Sequence, residues 1–135
     1  MNGILKREDG QAVLETALVI PVILFMIMAV ITVSLLIYTK MLVVLSASQG
    51  ARVGALIWND ATIELEEKEE KIEGVVFGIL SNGMNGVDRS WDAEVKDGSL
   101  HVTVEYKFKL ILPLLGALFE DNEVPIKYEA IYYIE

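Results

Sequence analysis

The 135-residue chain has no cysteine. That excludes a disulfide framework and any thiolate metal site, but it leaves the compartment open, because exported proteins need not carry disulfides. There is one histidine. His101 has no second imidazole or thiol with which to complete a metal site or a nucleophilic triad, and it falls on the polar face of an alternating segment, where an exposed side chain is expected. Basic residues are few: 11 Lys and Arg stand against 20 Asp and Glu, a net charge of −9. Nearly all of the acidic excess follows Lys40, so no basic patch exists and nucleic acid is a poor partner. There is no glycine-rich phosphate loop, and the carboxylates are spread over helix surface and turns instead of opposing each other across a pocket. The sequence therefore reads as a non-enzyme that requires no cofactor and no metal.

What is present is one long apolar run. No charge occurs between Glu15 and Lys40, and about 24 residues at ~1.5 Å each are enough to cross a ~30 Å hydrocarbon core. Glu15 stands at the edge of that run. An unpaired carboxylate there costs on the order of a few kcal/mol, so it should stay near the headgroups or find a cationic partner such as an amine. Pro21, inside the run, deprives the Ala17 carbonyl of its helical partner and predicts a mild kink, although proline is also simply common in membrane helices. Met26, Met28 and Met41 read as lipid-facing or packing residues instead of a ligand box.

Residues 1–10 form a hydrophilic leader in which Lys6 and Arg7 precede Glu8 and Asp9. The basic pair favours a cytoplasmic N-terminus, but Lys40 and Arg52 follow the span, so charge asymmetry alone decides little. An ordinary secretory signal, with Ser46-Ala47-Ser48 as its cleavage site, is disfavoured because the apolar core exceeds the usual 7–15 residues.

Gly10 before Gln11, Glu15 behind it, and then Leu14-Glu15-Thr16-Ala17-Leu18-Val19-Ile20-Pro21-Val22-Ile23-Leu24 resemble the class III signal segment of TadE-like minor pilins from tight-adherence, Flp-type pilus systems. Ser48-Gln49-Gly50-Ala51-Arg52-Val53-Gly54-Ala55 resembles the small-residue stretch with one arginine that follows the membrane segment in that family. The resemblance is strongest over residues 10–58 and weaker in the C-terminal half. It implies a minor pilin or pseudopilin cut by a prepilin peptidase on the cytoplasmic side, with Gly10 the last leader residue, Gln11 the new N-terminus and Glu15 the docking carboxylate. The implied partners are that peptidase, other pilin and pseudopilin subunits, the inner-membrane assembly platform and the lipid bilayer. The implied location is a single-pass membrane protein with its C-terminal domain outside, incorporated into a pilus. The alternative is an uncleaved, signal-anchored membrane protein whose ectodomain is a protein-binding module.

Beyond Lys40 the helical pattern continues to about Trp58. Ala47, Ala51 and Ala55 recur every four residues, as do Gly50 and Gly54, which gives a strip where another element can approach closely. Two uses stay open, and both can hold along different arcs of the helix: an assembly face for another subunit's helix, and a bed for the chain's own C-terminal sheet. Thr62 is expected to begin a second helix with Glu64/Lys68 and Glu67/Lys71 pairs and an apolar side of Ile63, Ile72, Val75, Val76, Ile79 and Leu80. Its acidic run lacks the spacing of a calcium loop and reads as a solvated face. Ser81-Asn82-Gly83 and Asn85-Gly86 should end it. Asp97-Gly98 joins Trp91–Lys96 to Ser99–Leu110 as a hairpin, and Leu100, Val102, Val104, Tyr106, Phe108 and Leu110 alternate with polar residues. Ile111 to Phe119 is expected to pack as a helical turn against the long helix or dip toward the outer leaflet. Val124 to Ile134 supplies a third strand, with Ile131 and Tyr133 forming an apolar patch on its other face. The expected architecture is α+β: a leader at 1–10, a membrane and assembly helix at 11–40, and an extracytoplasmic domain at 41–135 with a second helix and a three-stranded antiparallel sheet.

Overall fold

The computed structural model describes residues 2–83, 86–111 and 122–134, the side chains of 2–9 and 87 aside. Its elements are helix α1 (Asn2–Trp58), helix α2 (Leu65–Leu80) and strands β1 (Gly86–Lys96), β2 (Ser99–Lys109) and β3 (Glu123–Tyr133). This is the α+β order expected, with an antiparallel sheet in the order β1-β2-β3. The helix α1 ends at Trp58, as read, but begins at Asn2 instead of Gln11. The leader carries Leu5, Lys6, Arg7 and Glu8 in succession, good helix formers set against the roughly 1 kcal/mol cost of each of Gly3 and Gly10.

The chain divides into two compact units, one up to Ser34 and one from Leu35 on. In the first, large apolar side chains from Val13 to Val33 are exposed around the helix, as on a segment made for an apolar solvent. Its hydroxyls do not disturb that surface. Thr16, Thr32 and Ser34 each donate to the carbonyl four residues back at 2.8 Å, so their polar hydrogens are satisfied within the helix. Pro21 sits inside α1 without ending it.

The second unit is organised by β2, the central strand. Leu100, Val102, Val104, Tyr106 and Phe108 are fully buried, and they meet Val43, Ala47 and Ala51 of α1 and Ile72, Val76 and Leu80 of α2 in one core. Period-two alternation puts all five on one face, so a single strand supplies much of the core. The hairpin turn is Asp97-Gly98, both residues at positive φ (50° and 74°). That is the left-handed pair which matches the strands' twist, and it tolerates glycine and aspartate best.

Two further boundaries differ from expectation. The helix α2 starts at Leu65, not Thr62, because the Asp60 carboxylate accepts the Thr62 N–H at 2.9 Å and its hydroxyl at 2.6 Å, holding this segment in turns. The strand β1 starts at Gly86, which was expected in a turn, and not at Trp91. Pairing with β2 runs on to Gly86 opposite Phe108, through an irregularity between Gly86 and Asp88 that hides the period. The strand β3 has the anticipated phase: Tyr128, Ile126 and Ala130 stand opposite Val104, Tyr106 and Val102. The expectation for Ile111 to Phe119 falls, Ile111 apart, outside the described residues.

Candidate processing and assembly site

Gly10, Gln11 and Glu15 lie on α1, and all three are exposed. A Cβ built on Gly10 meets nothing within 4 Å, so packing within the chain does not require glycine there. Gln11 and Glu15 are four residues apart on a continuous helix, which places them on one face a turn apart. A group carried at position 11 and the Glu15 carboxylate are therefore neighbours within a single chain.

The small-residue strip has a definite use in this structure. Ala47, Gly50, Ala51, Gly54 and Ala55 are all buried. A Cβ on Gly50 would stand 2.7 Å from Val76 Cγ2. One on Gly54 would overlap Leu100 Cδ2 and lie 2.8 Å from Ile72 Cδ1. The strip is thus the bed for α2 and β2 of the same chain, the second of the two uses left open by the sequence.

On α2 the expected Glu67–Lys71 pair forms, at 2.8 Å, but Lys68 does not reach for Glu64. It is 9% exposed and donates to the Trp58 carbonyl at 2.6 Å. A cation there satisfies a carbonyl left open at the end of α1 and complements the helix dipole. The signal was available: Lys68 precedes Ile72, Val76 and Leu80 at the same four-residue interval, so the buried face extends back one turn to include it.

His101 also departs from expectation. Its side chain is 19% exposed and Nδ1 lies 2.8 Å from Glu129 Oε1. His101 stands opposite Ile131 and Thr103 opposite Glu129, so the two are diagonal neighbours on the polar face, within reach of long side chains. Among the described residues no group of three or more His, Asp or Glu is placed to hold a metal ion. Ile131 and Tyr133 are exposed on β3 as anticipated. A feature that the sequence did not reveal is a notch of about 460 Å³ lined by Arg52, Ala55, Leu56, Tyr132 and Tyr133.

These features define a class: a protein with an N-terminal helix long and apolar enough to cross a membrane, followed by a small α+β unit built on the continuation of that helix. The N-terminal helix fits a membrane-anchored protein. Residues 10–52 match the family model described as TadE-like protein, a match consistent with a TadE-like protein of the Tad pilus system. No curated protein and no solved structure matches.

Proposed function

We propose that the chain is a minor pilin or pseudopilin of a Tad-type pilus, cut after Gly10 by a prepilin peptidase and carried into the assembly by its N-terminal helix. One observation supports this most directly. The TadE-like match begins at Gly10 and ends at Arg52, so it takes in the proposed cut, the Glu15 carboxylate, the apolar segment and part of the small-residue strip, in that order. The chain then has no catalytic task; its partners are the peptidase, other pilin and pseudopilin subunits, the assembly platform and the bilayer. Its N-terminus lies in the cytoplasm and its sheet-bearing unit outside. Cleavage frees an amine at Gln11. On the helix that amine is one turn from Glu15, which lowers the cost of both charges at the membrane edge and lets the same carboxylate accept a neighbouring subunit's amine.

The test is the intact mass of the protein from cells with and without their prepilin peptidase. Loss of the Met1–Gly10 mass only when the peptidase is present is the expected result. A full-length protein in both strains would refute the proposal and leave an anchored binding module. Glu15→Ala adds a second reading: a pilin carrying it fails in processing or assembly, whereas an anchored binder is unaffected.

A further inference from the structure

We propose that the notch between α1 and the end of β3 receives the acidic face of α2 from a second copy of this chain, joining copies head to tail. The inference rests on the reading of the chain as an assembling subunit, and it names the surfaces used.

The notch has the chemistry of a carboxylate receptor. Arg52 is exposed and, among the described residues, forms no ion pair within 4 Å. Its planar fork matches a carboxylate, and Tyr132 and Tyr133, side chains that carry hydroxyl donors, line the same notch. Leu56 is 76% exposed and Tyr133 80%, so the walls offer apolar surface to the methylenes of an incoming Glu. Tyr132 lies on the core-facing side of β3 yet stays exposed, because among the described residues β3 is an outer strand with no neighbour beyond it.

The complementary surface is on α2. Glu66, Glu70 and Glu73 are exposed and spaced i, i+4, i+7, so they form one acidic stripe about 10 Å long. Nearby cations do not neutralise it: Lys71 is engaged by Glu67 and Lys68 is buried against Trp58. The helix α2 lies on the β1 side of the unit, while the notch is at β3, the opposite edge of the sheet. With α2 pinned by Ile72, Val76 and Leu80, a chain cannot fill its own notch. A contact between unlike surfaces at opposite edges repeats from copy to copy, which yields an open filament or a ring. An exposed contact of this kind also weakens with added salt.

The absence of cysteine makes the test direct, since introduced thiols have only each other to join. Full-length chains in phosphatidylcholine vesicles, one carrying Leu56→Cys and a second of different tag carrying Glu70→Cys, are treated with a short bismaleimide. The expected result is a mixed dimer, reduced about tenfold by Arg52→Glu on the first chain and recovered when the second also carries Glu66→Arg and Glu73→Arg. Thr103→Cys, on the outer face of the sheet, replaces Leu56→Cys as the measure of random collision. No dimer above that level, or a dimer indifferent to Arg52→Glu, overturns the contact. The vesicle result does not depend on the peptidase, so an uncut protein in the mass measurement refutes the pilin reading separately.

Discussion

Lys68 ties the start of α2 to the end of α1, and replacing it gives a quantitative test of the fold. Lys68→Met keeps the stem that packs beside Ile72 but removes the charge and the donor to the Trp58 carbonyl. A hydrogen bond from a charged group contributes about 1.5–3 kcal/mol, and the field at the end of α1 adds about 0.3–1 kcal/mol. Desolvating the ammonium offsets part of this, so a net loss of about 2 kcal/mol is expected. The assay is urea unfolding of the full chain in detergent, followed by tryptophan fluorescence. Both tryptophans, Trp58 and Trp91, pack against the core of the sheet-bearing unit, so the signal reports that unit alone. With a slope of about 1.5 kcal/mol per molar urea, the midpoint should fall by more than about 1 M. A midpoint within about 0.3 M of the parent's would show that water serves the Trp58 carbonyl equally well and would refute the reasoning.

Gly54→Ala should destabilise the same unit by about 1–3 kcal/mol through overlap with Leu100 and Ile72, measured by the same unfolding curve. Phe108→Ala, at a fully buried position, should cost about 3–5 kcal/mol. The exposed Glu67–Lys71 pair, by contrast, should be worth less than about 0.5 kcal/mol in a double-mutant cycle. Asp60 sets a pH dependence. Its hydrogen bonds to the Thr62 hydroxyl and N–H hold its carboxyl below the ordinary 3.8. The stabilisation is therefore complete above the unfolded-state value and is lost as pH falls through the lower folded-state value. The stability difference between the parent and Asp60→Asn should shrink on acidification below pH 3.8, and a constant difference would contradict this.

Where local pattern and tertiary demand agree, the sequence is enough to place an element. Six apolar residues alternating from Leu100 to Leu110 mark β2 whatever it packs against, and Asp97-Gly98 admits few backbones other than a tight hairpin turn. The end of α1 is legible because the small-residue pattern stops at Trp58-Asn59-Asp60. The missed features each depend on a partner distant in sequence. Lys68 looks like half of a surface ion pair until α2 folds back against the end of α1. The first residues of β1 lack a clear period, and only the ladder to Phe108 makes them strand. His101 has no companion within its own strand, and its carboxylate arrives from β3. The notch at Arg52 is likewise a product of topology, since Tyr132 and Tyr133 are far along the chain from α1. Gly10, Gln11 and Glu15 stand apart from all of these, for motif resemblance singled them out and, among the described residues, no contact accounts for them.

The burial of the small-residue strip changes how assembly experiments on this chain should be interpreted. Were Gly50 and Gly54 free on the surface of α1, a bulky substitution that abolished assembly would argue for helix packing between subunits. They are covered by Val76, Ile72 and Leu100, so the same substitution acts first on the folding of the sheet-bearing unit. Arg52 lies between them in sequence but points to the exposed side, and Leu56 follows one turn later on that side. Substitutions at these two positions leave the core intact and probe contact between copies. One helix thus presents two arcs with different duties, and a variant series that keeps Gly50 and Gly54 while changing Arg52 and Leu56 separates assembly from folding.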